Sequence, residues 1–382
     1  MNPARPGQTV TLWGTGLGPV DGNEAGAPQP GELRPDIKVN VGGKEARIRY
    51  AGRSGCCAAV DQIVFDVPEV SGCYVPVVVL GSPLSDATAR RLQPEAQQSN
   101  FTTISVSADG APCTDPAGLS GAEIAKLQQT GTLRVGALAV SRLFPFGMVS
   151  LQENAAASLS RLNPSTFLRS RGIFGFPSLG SCLTYPLDTP ETELRDPFLA
   201  APLDAGSALN LSGPSGSRQL QRQSTGGYAG LLGGTKTGSS ALYLNAGSYT
   251  VDNGTGGADV GPFQASFSVP QPLKWLNKGA FPRSFQPPVV FTWSDADPNG
   301  FVVMTSSGDN GQVGVYSICT ERSDAGAISV PAVFLVTLGV GGDFGPFPNN
   351  FSLGVARTFR FDAPGLDAGL ISVMLMDGFF VP

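Results

Sequence analysis

The sequence predicts an all-β protein built of antiparallel sandwiches, and three observations carry that expectation. The stretch Ala241–Trp275, ALYLNAGSYTVDNGTGGADVGPFQASFSVPQPLKW, holds three short runs (ALYL, SYTV and FQASFSV) with apolar or aromatic residues at alternate positions, separated by Asn- and Gly-rich breaks. The 382 residues include 50 Gly and 32 Pro, a density of turn formers that suits many short strands rather than long helices. Charged residues make up only 14% of the chain, so its solubility rests on Ser, Thr, Asn and Gln.

In chain order, Gln8–Gly18 (QTVTLWGTGLG) alternates Val10 and Leu12 and then breaks at glycines, as a strand entering a tight corner does. Asp21–Pro35 is loop. Ile37–Val41 and Ala46–Tyr50 flank a Gly42–Gly43 turn, and Gln62–Val67, Tyr74–Leu80 and Phe101–Val106 complete the set. Ser82–Gln98 is a polar excursion between the last two. This spacing predicts an Ig-like sandwich over residues 1–108. Asp115–Gln129 is the one helix, with Ser120 as N-cap and Glu123 at N3, inside a linker spanning residues 109–131.

Residues 132–382 read as a larger β-sandwich region. Strands are expected at Leu133–Leu143, Met148–Leu162, Ala208–Leu211, Val289–Trp293, Phe301–Ser306, Val313–Cys319, Val333–Leu338, Val355–Phe361 and Ile371–Met376. The Pro-bearing connection near 270–286 divides this region into two lobes.

The segments NPARPGQTVTLWGTGLGPV, VNVGGKEARIRYAG, DQIVFDVPEVSGCYVPVVV and SNFTTISV resemble the TIG/IPT-like Ig module of large secreted proteins of soil Acidobacteria such as Solibacter, over roughly Asn2 to Val106. A second resemblance, to an uncharacterised C-terminal region of the same proteins, runs from GSC at Gly180–Cys182 through LDAGSALNLSGPSG and FTWSDADPNGFVVM to ISVPAVFLVTL. The resemblance implies a secreted or surface setting and no defined activity. A family member has a further strand before NPARPGQ, so this chain is expected to be a fragment with its export signal upstream of Met1. Met1–Gln8 itself has no apolar targeting segment, and no run in the chain is long and charge-free enough to span a bilayer.

Several function classes lose their footing on composition. The chain contains no histidine, which removes Ser–His–Asp and Cys–His nucleophile systems, His-ligated metals and imidazole bases together. Net charge is −5 with scattered Lys and Arg, so there is no electrostatic footprint for nucleic acid.

The six cysteines (Cys56, Cys57, Cys73, Cys113, Cys182 and Cys319) form no C-x-x-C pair and read as three disulfides of an oxidising compartment. Adjacent Cys56 and Cys57 are each expected to pair with Cys73 or Cys113, leaving Cys182 for Cys319 and a bond that ties the lobes together.

Two loops offer oxygen ligands. Asp295, Asp297 and Asn299, followed by Gly300, match the opening of a calcium loop, although the twelfth position is Ser306 rather than Glu. Asp252 and Asp259 bracket a second oxygen-rich loop. In both, Asp and Asn bonding their own backbone in a turn is the preferred reading over calcium. The three tryptophans, Trp13, Trp275 and Trp293, are the candidates for sugar stacking, but Trp293 alternates with Val289 and Phe291 and so belongs to an apolar face.

The resulting expectation is a non-catalytic secreted or cell-surface structural or adhesive protein that contacts proteins or surface polymers, self-assembly included. Its rivals are a carbohydrate-binding module with calcium-stabilised loops and a carboxylate-dependent polysaccharide hydrolase or lyase.

Overall fold

The computed structural model describes residues 3–16, 37–42, 44–57, 59–81, 97–99, 102–110, 119, 121–143, 151–163, 174, 176–177, 179–186, 201–234, 242–278, 289–309, 314–330 and 349–381. The fold is all-β with antiparallel sheets, as the alternation predicted. The chain divides into two compact units, Met1–Cys113 with Ser178–Ser181, and Thr114–Pro177 with Cys182–Pro382.

The first unit contains β1 (Thr9–Gly14), β2 (Ile37–Val41), β3 (Lys44–Arg53), β4 (Asp61–Asp66), β5 (Gly72–Gly81), β6 (Gln97–Gln98) and β7 (Thr102–Val106). They pair in the order β1-β4-β3-β2-β5-β6, with β7 also on β5. β3 serves two partners, its start pairing with β2 and the rest with β4 through a bulge at Ile48/Tyr50. The bend wraps the strands around one buried cluster that includes Val39, Val41, Ile63, Phe65, Val75 and Val77. The alternating residues of β2 and β4 supply that cluster, which is why these strands were readable from their period.

The second unit opens with α1 (Gly121–Thr130), followed by β8 (Leu133–Leu143), β9 (Gln152–Leu162), β10 (Ser181–Pro186), β11 (Ala208–Gly213), β12 (Gly216–Arg222), β13 (Tyr228–Gly234), β14 (Gly247–Asp252) and β15 (Gln264–Val269). It continues with β16 (Lys274–Trp275), β17 (Val289–Ser294), β18 (Phe301–Asp309), β19 (Gly314–Arg322), β20 (Ala327–Val330), β21 (Asn349–Phe361) and β22 (Ala368–Val381). Twelve of these strands form one sheet in the order β10-β19-β18-β21-β22-β8-β9-β13-β12-β11-β14-β15, while β16, β17 and β20 make a small second sheet. β8 and β22 run parallel.

Ring contacts show how the large sheet closes on itself. Phe263 stacks on Phe361 at 5.0 Å between centroids, and Phe267 meets Phe359 at 6.2 Å, so the β14–β15 end folds back over β21. The small sheet closes the same core through Trp275–Phe291 and Phe291–Phe351 contacts at 5.6 and 6.1 Å. Strands from either side of residues 270–286 therefore share one sheet and one core, and the connection leads into the small sheet.

The cysteine pairing differs from the expectation. Cys56 and Cys57 are bonded to each other, in the loop between β3 and β4. That loop is held by a buried Ser54 whose Oγ accepts from the Cys56 amide at 3.1 Å, and it is closed off by the Arg53–Asp61 ion pair. A turn with both ends fixed keeps the adjacent sulfurs together, a local geometry that pairing rules based on spacing do not anticipate.

Cys182–Cys319 is present as expected, with Cα atoms 4.0 Å apart. It joins β10 to its sheet neighbour β19, so it staples two strands of one unit rather than two lobes. Cys73 is also disulfide-bonded, while Cys113 lies outside the described residues.

One further local expectation is corrected. Within ALYL, Leu242–Leu244 is not a strand, because the amides of Tyr243 and Leu244 donate to the carboxylate of Glu153 on β9 instead of to a neighbouring strand. Glu123 pairs with Arg360 on β21, and the capping box expected between Ser120 and Glu123 lies outside the described residues. Val333–Leu338 is outside them too.

Candidate functional site

The most ordered chemical pattern in the second unit is the outward face of β12, β11, β14 and β15. Inward alternates Leu209, Leu211, Leu220, Tyr249, Val251, Ala265, Phe267 and Val269 are buried in the core, which forces the intervening residues outward. Because the pairing has no slip across these strands, the outward residues align in rows. One row is Gln219–Asn210–Asp252–Gln264, and the next is Ser217–Ser212–Thr250–Ser266.

Hydrogen bonds run along the rows. Gln219 Nε2 donates to Asn210 Oδ1 at 3.2 Å, Asn210 Nδ2 donates to Asp252 Oδ1 at 2.9 Å, and the Ser212 and Ser217 hydroxyls lie 2.9 Å apart. Gln221, one step further along β12, donates to Gln219 Oε1 at 2.6 Å. These rows contain one carboxylate and no Lys or Arg. Strand faces in water usually carry several charges that discourage association, whereas this one, Asp252 apart, presents uncharged hydroxyls and amides, and it is called the neutral face below. Beside it lies a shallow depression of about 600 Å³ bordered by Ser212, Thr250, Ser266, Tyr249, Phe267 and Phe359.

The frame behind this face is tied by tyrosines. Tyr249 Oη donates to the Tyr243 and Asn245 carbonyls at 3.0 and 2.9 Å, and Tyr243 Oη donates to the Gly216 carbonyl at 2.8 Å. Tyr228 Oη donates to the Gly206 carbonyl at 2.8 Å. Burial pushes all three phenols above their ordinary pKa, so they remain neutral donors.

The two oxygen-rich loops use their side chains on the protein itself. Asp252 Oδ1 accepts from the Gly254 amide at 3.0 Å as well as from Asn210. Asp259 Oδ2 accepts from the Asp204 amide at 2.9 Å, and its Oδ1 lies 3.9 and 3.8 Å from the guanidinium groups of Arg134 and Arg161. Between them Asn253 is buried, with Nδ2 donating to the Ala205 and Gly261 carbonyls and Oδ1 accepting from the Phe263 amide. Nothing in the sequence singles out Asn253, since burial of one Asn in a Gly-rich loop leaves no periodic signal.

In the other loop, Asp297 Oδ1 accepts from the Asn299 amide at 2.9 Å and its Oδ2 faces Arg357 at 3.0 Å. Asp295 adopts a left-handed φ of 60° and accepts from Ser294 Oγ. Among the described residues no three His, Cys, Asp or Glu side chains converge on a point that could hold a metal ion. Of the tryptophans, Trp275 and Trp293 are core residues at 8% and 4% exposure, whereas Trp13 is 52% exposed.

No family model matches the chain, and no curated protein matches it. Among solved structures, the chain is similar to domains A168–A170 of titin, at 10% identity over 99% of this chain and 95% of that one, with a TM-score of 0.14. It is similar also to the chicken CNTN1 FN1–FN3 domains, at 8% identity over 97% and 99% of the two chains, with a TM-score of 0.17. A third similarity is to the endo-fucoidan hydrolase MfFcnA4 from glycoside hydrolase family 107, at 9% identity over 98% of this chain and 42% of that one, with a TM-score of 0.13. At these scores none of the three carries an argument, and the fold rests on the strand pairing described above. Among the described residues no helix is long and apolar enough to cross a membrane.

Proposed function

We propose that the chain is a non-catalytic structural or adhesive module of an exported, surface-displayed protein, and that it works through the neutral face of β12, β11, β14 and β15. The observation that carries this reading is the pair of in-register rows, Gln219–Asn210–Asp252–Gln264 and Ser217–Ser212–Thr250–Ser266, on a face without a cation. A rigid array of hydroxyl and amide groups repeated at strand spacing offers many weak hydrogen bonds to an extended, uncharged, hydroxyl-bearing polymer, and such bonds gain by multivalency rather than by individual strength. The disulfides fit an oxidising compartment, and the resemblance of residues 2–106 to the TIG/IPT module supports a surface setting. Co-sedimentation of the chain with insoluble neutral polysaccharides at high salt tests the proposal. Retention that survives salt supports it, and absence of retention on every such polymer contradicts it.

A further inference from the structure

Trp13 is the feature that the neutral face leaves unexplained. It stands on β1, at one edge of the sheet of the first unit, with its indole half in water, while the other two tryptophans are packed in the core of the second unit. Its register partner on β4 is Gln62, and the partner of Gln62 on β3 is Gly52, so the row beside the indole is a neutral amide followed by a position with no side chain. The next row is Thr11–Val64–Tyr50, with Tyr50 Oη donating to the Arg53 carbonyl at 2.8 Å. Charge enters only in the third row, where Asp66 accepts from Arg49 Nε at 2.8 Å and from Thr9 Oγ1. Among the described residues, the two rows nearest the indole therefore hold a second aromatic ring and no charge.

The Cys56–Cys57 ring lies at the same end of this sheet. The loop that carries it leaves β3 at Arg53, one residue beyond Gly52, and enters β4 at Asp61, one residue before Gln62. Both cysteines are exposed, and the ring is an apolar, conformationally restricted surface. Two strand spacings and two residue rises place Trp13 and Tyr50 about 12 Å apart, a distance a short oligosaccharide can span.

We propose that Trp13, Gln62 and Thr11, bounded by the Cys56–Cys57 ring, form a binding site for the pyranose rings of a neutral glycan. The C–H face of a sugar stacks on the indole, and the Gln62 amide and Thr11 hydroxyl bond its equatorial hydroxyls. A neutral ligand follows from the absence of charge in the two rows nearest the indole. This site lies in a different unit from the Ser/Gln rows and does not depend on their role.

The test is fluorescence titration of the full chain with short β-linked gluco-, xylo-, manno- and N-acetylgluco-oligosaccharides. With Trp275 and Trp293 buried, the emission that acrylamide quenches is that of Trp13. A saturable blue shift with protection from quenching is expected for at least one sugar. Trp13→Ala is expected to weaken that binding about tenfold with an unchanged melting temperature, Trp13→Phe to retain part of it, and the paired Cys56→Ser, Cys57→Ser variant to weaken it as well. The site is refuted if no sugar shifts or protects the wild-type emission, or if Trp13→Ala, measured by calorimetry, binds as tightly as the wild type. Either result leaves retention through the Ser/Gln rows untouched, so the two proposals fail separately.

Discussion

Arg142 and Glu153 face each other across β8 and β9, with Arg142 Nε 2.8 Å from Glu153 Oε1 and Nη2 2.7 Å from the same oxygen. The Glu153 side chain is fully buried and also accepts from the amides of Tyr243 and Leu244, while Arg142 donates to the Leu244 carbonyl. This pair therefore substitutes for a strand. It fastens the segment leading into β14 to the middle of the sheet and so positions Tyr243 and Tyr249 under the neutral face.

Removing one partner from such a pair leaves a buried charge and two unbonded amides. Glu153→Leu is expected to cost about 3–5 kcal/mol in urea unfolding. The double variant Arg142→Met, Glu153→Leu is expected to be less destabilised than Glu153→Leu alone, because no charge is then stranded. Equal losses in the two would show that the charges are not coupled.

The two described disulfides should behave in opposite ways. Cys182–Cys319 closes a loop with a sequence separation of 137, for which the chain-entropy relation gives about 5 kcal/mol. Cys56–Cys57 joins neighbours and restricts almost nothing in the unfolded chain. Replacing Cys182 and Cys319 by Ala is expected to lower the melting temperature by many degrees, whereas replacing Cys56 and Cys57 by Ser should leave it within a degree or two.

Stability is expected to fall at both pH extremes for identifiable reasons. Burial alone would raise the Asp367 pKa, but donation from the Arg134 amide and from Lys126, at 2.8 and 2.7 Å, outweighs it and holds the group below its usual 3.8. Asp66 is lowered too, first by its hydrogen bond from Arg49. A depressed carboxylate contributes stability above its unfolded pKa and loses it as pH falls through the folded value, so the acid limb lies below about pH 4. The tyrosines Tyr228, Tyr243 and Tyr249 are raised by burial, so their contribution is complete below pH 10 and is lost above it. Asp367→Asn should flatten the acid limb, and Tyr249→Phe the alkaline one, in denaturant midpoints measured against pH.

Asn253 braces the loop between β14 and β15 through three hydrogen bonds. Asn253→Ala leaves the Ala205 and Gly261 carbonyls and the Phe263 amide without this partner, at an expected cost of about 2–4 kcal/mol. Chelator is expected to leave the wild-type melting curve in place. A calcium-dependent rise in melting temperature would overturn this account of the loop.

The parts of the fold that could be read from the sequence were those whose burial alternates. β2 falls at Ile37–Val41, the range that the apolar period marks out, while β8 falls at Leu133–Leu143 as expected although it is buried on both faces over Val135–Leu138. β12 could not be read this way, because in GSRQLQR only Leu220 is buried, and Arg218 and Arg222, which share its side of the strand, are exposed like the outward residues. ALYL has a strand-like period, but the amides of Tyr243 and Leu244 go to the distant Glu153, which no local pattern announces. The rows of the neutral face were hidden for a related reason. Ser212, Thr250 and Ser266 are far apart in sequence and meet only through the register of three strands. The exposure of Trp13 follows from the alternation of its strand, in which Val10 and Leu12 pack on the core and Trp13 shares the outer face with Thr9 and Thr11.

The central claim is most directly tested by salt-resistant retention on an insoluble neutral polysaccharide that holds the wild-type chain, compared with the Ser212→Lys, Ser266→Lys double variant. Both positions face solvent in the same row, on either side of Thr250, so the variant should keep the wild-type melting temperature while lysines break up the hydroxyl array. Loss of retention in a folded variant is the predicted result, and undiminished retention would contradict the assignment of this face as the working surface.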